Sequence, residues 1–144
     1  MIEVTGNLWT FPADVRVITT NGYVKVNGEA VMGRGCALEA RLKHPTIPAI
    51  LGEAITRHGN HVHWLYGGLK GNIIFSFPVK HRWNEKADLD LIERSADELR
   101  KIVPIPWTVV LPRPGCGNGG LKWESVKPIL EPILNDRFHV ITFK

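Results

Sequence analysis

Two cysteines in 144 residues, Cys36 and Cys116, are too few for a disulfide framework. Reduced thiols and a cytoplasmic setting are therefore expected. No apolar run approaches the roughly 18 residues of a membrane span, so no membrane role is expected. The opening residues, MIEVTGNLW, lack the basic-then-apolar layout of a secretion signal. Internal repeats, low-complexity tracts and linkers are missing too, which points to one domain over residues 1–144 and, by default, a monomer. His61 and His63 alternate along one candidate strand, but no second cluster completes a zinc site, so neither metal nor cofactor is expected. There is no basic block and no repeated basic–aromatic pattern of a dedicated nucleic-acid surface. The balance of 18 Lys+Arg against 14 Asp+Glu still leaves a net charge of +4, a mild preference for anionic ligands.

What the chain does have is a stretch around which the rest is organised, VVLPRPGCGNGGLKW, residues 109–123. Val109, Val110 and Leu111 make a buried strand; Pro112, Pro114 and the glycines 115, 117, 119 and 120 break it; helix-compatible sequence follows Trp123. Strand, glycine loop and helix together aim backbone N–H groups and a helix N-terminus at an anion. Gly115, Gly117 and Gly120 satisfy the dinucleotide fingerprint GxGxxG. That fingerprint opens a fold with several further βαβ units, whereas only 24 residues follow Gly120 here. The dinucleotide reading fails on position. A glycine turn without a ligand is the plainer alternative.

In chain order, strands are expected over 2–5, 15–20, 61–66, 72–77, 107–111 and 138–143, from β-branched or apolar runs bounded by Gly and Asn. Helices are expected over 36–43, 49–58 and 88–103, the last from Leu89, Ile92, Ala96, Leu99 and Ile102 at helical spacing. A fourth helix, with Ser125 as its N-cap, has Pro128 in its first turn and is kinked or shortened by Pro132. Six strands mixed with about four helices indicate a three-layer α/β/α domain with a mixed sheet.

In open α/β sheets, ligands lie beyond the carboxyl ends of strands. Three polar or glycine-rich loops follow strands here: residues 21–35 (NGYVKVNGEAVMGRG), 78–83 (PVKHRW) and 112–121. They would enclose a cleft with two backbone anion cradles, an aromatic and a lysine. Two cradles suit a diphosphate.

Four segments carry a family resemblance: Gly6-Asn7-Leu8, VMGRGCAL over 31–38, FPVK over 77–80 and LPRPGCGNGGLKW over 111–123. With these in this order the chain resembles a macro domain, the ADP-ribose-binding fold. It is most similar to the branch of DNA ADP-ribosyl glycohydrolase antitoxins and the terminal ADP-ribose protein glycohydrolase. The resemblance implies ADP-ribose as ligand, with ADP-ribosylated DNA or protein as the partner that carries it. It puts Asn7, with Leu8, at the adenine, where many macro domains use an aspartate. Asn21 matches the asparagine facing the distal ribose. Met32, Gly33, Arg34, Gly35 and Cys36 match the first phosphate loop, and Pro114, Gly115, Cys116, Gly117, Asn118 and Gly119 the second.

Lys80 matches the lysine this branch uses in catalysis. An amine can attack C1″ of the distal ribose, after which water releases ADP-ribose; burial and the neighbouring His81 and Arg82 would favour the neutral amine the attack requires. The terminal glycohydrolase assists its lysine with an aspartate in the second phosphate loop, and the matching residue here is Gly119. The glycine-rich NGGL stretch is more similar to the DNA-directed members, so lysine-assisted release of ADP-ribose from thymidine-linked DNA is the favoured activity. The alternatives are a reader that binds without cleaving, or a hydrolase of ADP-ribose 1″-phosphate, O-acetyl-ADP-ribose or ADP-ribosylated protein. Cys36 and Cys116 stand near helix starts that lower thiol pKa, yet small side chains in crowded loops explain them as well. Trp83 could stack on a base or simply pack, and Arg34 and Arg113 could meet phosphate or form surface ion pairs.

Overall fold

The computed structural model describes residues 1–143. In chain order its elements are β1 (Ile2–Thr5), β2 (Val15–Asn21), α1 (Gly35–Lys43), α2 (Ile47–His58), β3 (Trp64–Tyr66), β4 (Ile73–Lys80), α3 (Leu89–Ile102), β5 (Val109–Pro112), α4 (Trp123–Leu130) and β6 (Phe138–Thr142), with a 3₁₀ turn at Gly117–Gly119 before α4. The strands form one mixed sheet in the order β1-β6-β5-β2-β4-β3. Only β3 runs antiparallel to its neighbour; the other four pairings are parallel.

Side-chain alternation along the strands builds the three layers. Val17, Phe75, Phe77, Leu111, Phe138 and Val140 face α3 and α4, where they meet Ile92, Ala96, Leu99, Val126 and Leu130. Ile18, Ile74, Val110 and Ile141 face the other way and meet Ala37, Ala40, Ile47 and Leu51 of α1 and α2. β4 is buried along all but its last residue because strands flank it and helices cover both faces. Each large side chain so buried contributes about 1.5–3 kcal/mol. The helical face of α3 is turned slightly from the expected one: Leu91 and Ser95 are buried while Ile102 is half exposed.

Three local expectations change. β4 continues through Pro78 to Lys80, so the catalytic candidate ends a strand rather than standing in a loop. Proline is tolerated there because Pro78 pairs with Thr20 of β2 on one side, while β3 on the other side reaches only Ile74 and Phe75. No ladder bond is lost, and the Ser95 hydroxyl of α3 donates to the free Pro78 carbonyl at 2.7 Å. α4 starts at Trp123 behind an extended Lys122, not behind Ser125, and Pro128 lies well inside it. The helix runs past Pro128 and stops at Leu130, two residues before Pro132, where the shortening was expected. β3 keeps three of its six expected residues.

This topology positions the site. The chain leaves β2 and crosses to β4, then returns past β2 to β5, so the two neighbours of β2 are entered from opposite directions. A crevice opens at such a switch point, beyond the carboxyl ends of the parallel strands.

Candidate active site

A cleft of about 740 Å³ occupies that position, lined by the ends of β2, β4 and β5 and by the three loops that follow them. Each wall has an identifiable cause. After β2, residues 22–31 fold into a small hairpin, bridged at Val24 and Ala30. Asn21 clasps it: Oδ1 accepts from Tyr23 N–H at 2.9 Å, and Nδ2 donates to the Val31 carbonyl at 3.0 Å. The hairpin docks on α2 through Ala30 N–H to the Pro48 carbonyl (2.9 Å). The approach is so close that a Cβ on Gly52 would stand 1.9 Å from the Gly28 carbonyl oxygen.

The hairpin delivers Met32 through Cys36 to the start of α1. Arg34 is extended, Gly35 has φ +59°, and no side chain caps the first N–H groups of the helix. These uncapped donors at a positive helix end are suited to a phosphate. Among the described residues Arg34 has no carboxylate within ion-pair distance.

The second cradle follows β5. Gly115 takes φ +76°, and a Cβ there would come within 2.9 Å of both Ile92 and Leu121. The positive φ calls for glycine, and a Cβ would also displace the ends of these two side chains. Gly117 and Gly120 also adopt positive φ around the 3₁₀ turn. The two cradles face each other: a Cβ added to Gly35 would lie 3.5 Å from the Asn118 amide nitrogen. Arg113 lines the cleft, but its guanidinium is engaged 3.4 Å from Glu3 and stacked 4.8 Å over the Trp123 ring. Glu3 also meets Lys127 at 2.7 Å and the Trp123 indole N–H at 2.9 Å. The Lys127 bond, then the indole bond, holds its carboxyl below the usual range.

Lys80 ends β4 beside Asn21, its partner across the strand pair. Its Nζ donates to the Asn118 carbonyl at 3.3 Å and the Trp83 carbonyl at 3.4 Å. The amine thus joins the second cradle to the loop after β4. The two neighbouring basic side chains expected to act on it are turned to carboxylates, His81 to Asp88 at 2.9 Å and Arg82 to Glu85 at 4.0 Å. Trp83 lines the cleft with about half its surface exposed, which leaves a ring face for a ligand.

The cleft brings together Lys80, Asn21, Met32, Gly33, Arg34, Gly35, Cys36, Gly115, Cys116, Gly117, Asn118 and Gly119. Asn7, Leu8 and Pro114 fall outside its lining. Leu8 is buried in the core. Asn7 is exposed, and its Oδ1 accepts from Trp9 N–H at 2.8 Å in a local turn. Pro114 is buried beneath the second loop. Neither cysteine gains from its helix start. The Thr19 N–H and hydroxyl both lie 3.4 Å from the Cys36 sulfur, and burial pushes this thiol's pKa up. Burial raises Cys116 as well. Sequence reasoning missed Thr19, Thr20, Asn84 and Glu85. The rule that ligands lie at strand ends would have found the threonines. Asn84 and Glu85 belong to no motif and stand just past the segment 78–83.

No protein-family model matches the chain. The sequence is 29% identical over 138 residues to a protein of Thermus aquaticus named DNA ADP-ribosyl glycohydrolase, covering 91% of this chain and 37% of that one. The chain spans about a third of the length of the curated relatives it matches. Among solved structures it is similar to the macrodomain of Mycobacterium tuberculosis DarG, with a TM-score of 0.78 at 27% identity over 97% of this chain and 96% of that one. It also shares its fold with Thermosipho africanus DarTG in complex with ADP-ribose, with a TM-score of 0.77 at 18% identity over 96% of this chain and 40% of that one.

Proposed function

This chain is a macro domain, and from that premise we propose that it binds ADP-ribose in the cleft and hydrolyses ADP-ribosyl bonds, with thymidine-linked DNA as the favoured substrate. The observation that carries the proposal is the placing of Lys80. Its Nζ stands at the cleft end of β4, bonded to the Asn118 carbonyl of the second cradle and within one loop of the first. The diphosphate lies across the two backbone cradles, as their uncapped N–H groups and positive-φ glycines suit it. The distal ribose then extends towards Asn21 and Lys80.

Lys80, as the free amine, attacks C1″ of that ribose. The bond to the base breaks with its electron pair on the base, which takes the proton that the amine gives up. Water then adds to C1″ and the C1″–Nζ bond breaks, giving ADP-ribose and the restored lysine. The name of the Thermus aquaticus relative supports this reaction and the DNA substrate. The reader alternative is supported by the bonds of Nζ to two carbonyls, which would suit a purely structural clasp.

Incubating wild type and Lys80→Ala with an oligonucleotide carrying ADP-ribosylated thymidine, and separately with ADP-ribosylated protein, tests the reading. Free ADP-ribose is measured, with calorimetric binding of ADP-ribose to both proteins. Release from DNA by wild type alone, with binding retained in the variant, is the expected result. Binding without release from either substrate leaves the reader alternative. Equal release by the variant removes Lys80 from the mechanism.

A further inference from the structure

Lysine-assisted hydrolysis needs a group that takes a proton from the releasing water, and the second loop offers only Gly119 where a carboxylate would be expected. A side chain at that position would be crowded. Gly119 is buried, and a Cβ on it would lie 3.0 Å from the Ala87 Cβ. A side chain there would press on Ala87 of the segment after β4.

That same segment carries Glu85, the one carboxylate among the residues lining the cleft. The segment is fixed at two points on either side of it. The Trp83 carbonyl accepts from Lys80 Nζ at 3.4 Å, and Ala87 N–H donates to the Gly119 carbonyl at 2.9 Å. Glu85 is two residues from each anchor, so its Cα lies at most about 7.6 Å from theirs. Glu85 thus stands in the chain midway between the residue bonded to the lysine and the residue bonded to the glycine. The carboxylate's ion-pair partner is Arg82, at 4.0 Å, with both side chains about half exposed or more. Such a contact is weak and readily given up.

Resting on the hydrolase reading above, we propose that Glu85 is the general base of this cleft. Its carboxylate takes one proton from the water that attacks C1″; the water oxygen bonds to C1″; the C1″–Nζ bond breaks with its electron pair on Nζ; and the proton held by Glu85 passes to that nitrogen. Water is consumed, ADP-ribose is released, and both side chains return to their starting forms. The carboxylate is supplied by the loop after β4 instead of the loop after β5.

The test compares wild type, Glu85→Gln and Glu85→Ala on the ADP-ribosylated thymidine oligonucleotide, with calorimetric binding of ADP-ribose to each. A positioned general base contributes about 10²–10⁴-fold. Turnover of Glu85→Gln is expected to fall by about 100-fold or more, with the ADP-ribose Kd within about twofold of wild type. Added formate, a small carboxylate that fits the space vacated in Glu85→Ala, restores part of that variant's turnover. A merely structural role would not respond to formate. Turnover of Glu85→Gln within threefold of wild type overturns the proposal and leaves the hydrolase reading standing. So does a loss of turnover matched by an equal loss of affinity, or one that formate does not relieve. No release by wild type overturns the hydrolase reading, and this proposal with it.

Discussion

Gly52→Ala separates the packing that shapes the first cradle from the cradle itself. In the interior of an exposed helix this change stabilises by about 1 kcal/mol, because glycine is a poor helix former. Here the new Cβ would stand 1.9 Å from the Gly28 carbonyl oxygen and 3.0 Å from the Ala30 nitrogen, both backbone atoms. Ordinary contact requires a separation larger by about 1.5 Å or more, so the hairpin of residues 22–31 must lift from α2. Overpacking of this kind costs about 1–3 kcal/mol. The Ala30–Pro48 hydrogen bond is lost with it, a further ~1 kcal/mol. Set against the propensity gain, the net loss is about 1–3 kcal/mol, a fall in Tm of several degrees for a domain of this size. Val31 and Met32 move with the hairpin, so the affinity for ADP-ribose falls as well. Thermal unfolding and calorimetry on Gly52→Ala read both effects, with Gly68→Ala, which meets nothing within 4 Å, as the control. A variant as stable as wild type, with unchanged Kd, would refute the argument that α2 sets the position of the first cradle.

Two further changes test single atoms. The Thr20 hydroxyl is buried with no hydrogen-bond partner among the described residues, so Thr20→Val should raise the unfolding free energy by about 1 kcal/mol in urea titration; a lower midpoint would show that the hydroxyl is satisfied. Asp88 has its pKa lowered, chiefly by the hydrogen bond from His81, and it also caps α3 by accepting from Asp90 N–H at 2.9 Å. Asn caps as well as Asp, so Asp88→Asn removes the charge alone. A lowered carboxyl pKa stabilises above the ordinary value of about 4 and loses that contribution as pH falls through its own folded value. The stability gap between wild type and Asp88→Asn, under ~1 kcal/mol for so exposed a pair, should therefore close below about pH 4. A gap that does not narrow at all as pH falls below about 4 contradicts this.

The centre of the sheet was legible in the sequence because β2, β4 and β5 are largely buried. VRVITT, IIFSF and VVL can hardly be anything else, and turn residues bound them. The glycine loops were legible because positive φ and close approach demand glycine at fixed places. What escaped the sequence depends on contacts distant along the chain. Nothing in residues 22–31 announces a hairpin held by Pro48 and Gly52. The expected end of β4 at Phe77 falls three residues short of Lys80 because a proline in a run demotes it, and only the sheet order shows that the proline's free side lacks a strand. Glu85 carries no motif; it enters the cleft through the Lys80 and Gly119 anchors. Cys36 was weighed as a thiolate from its helix start, but burial against Thr19 outweighs the helix end.

The distribution of carboxylates explains how one lysine can serve both as clasp and as reagent. Three acids on this side of the molecule are matched to other basic groups: Asp88 to His81, Glu85 to Arg82, and Glu3 to Arg113 and Lys127. Lys80 instead meets two neutral backbone carbonyls, at 3.3 and 3.4 Å. Charge-assisted bonds to a carboxylate are shorter and about twice as strong as bonds to neutral acceptors. A carboxylate on Nζ would fix it as an ammonium and would have to be displaced before attack. Two long bonds to carbonyls orient the nitrogen towards the second cradle and can be exchanged for contacts with a ribose. The same logic asks of the proposed water-activating carboxylate that it not pair with Lys80, and Glu85 pairs with Arg82 instead, at 4.0 Å.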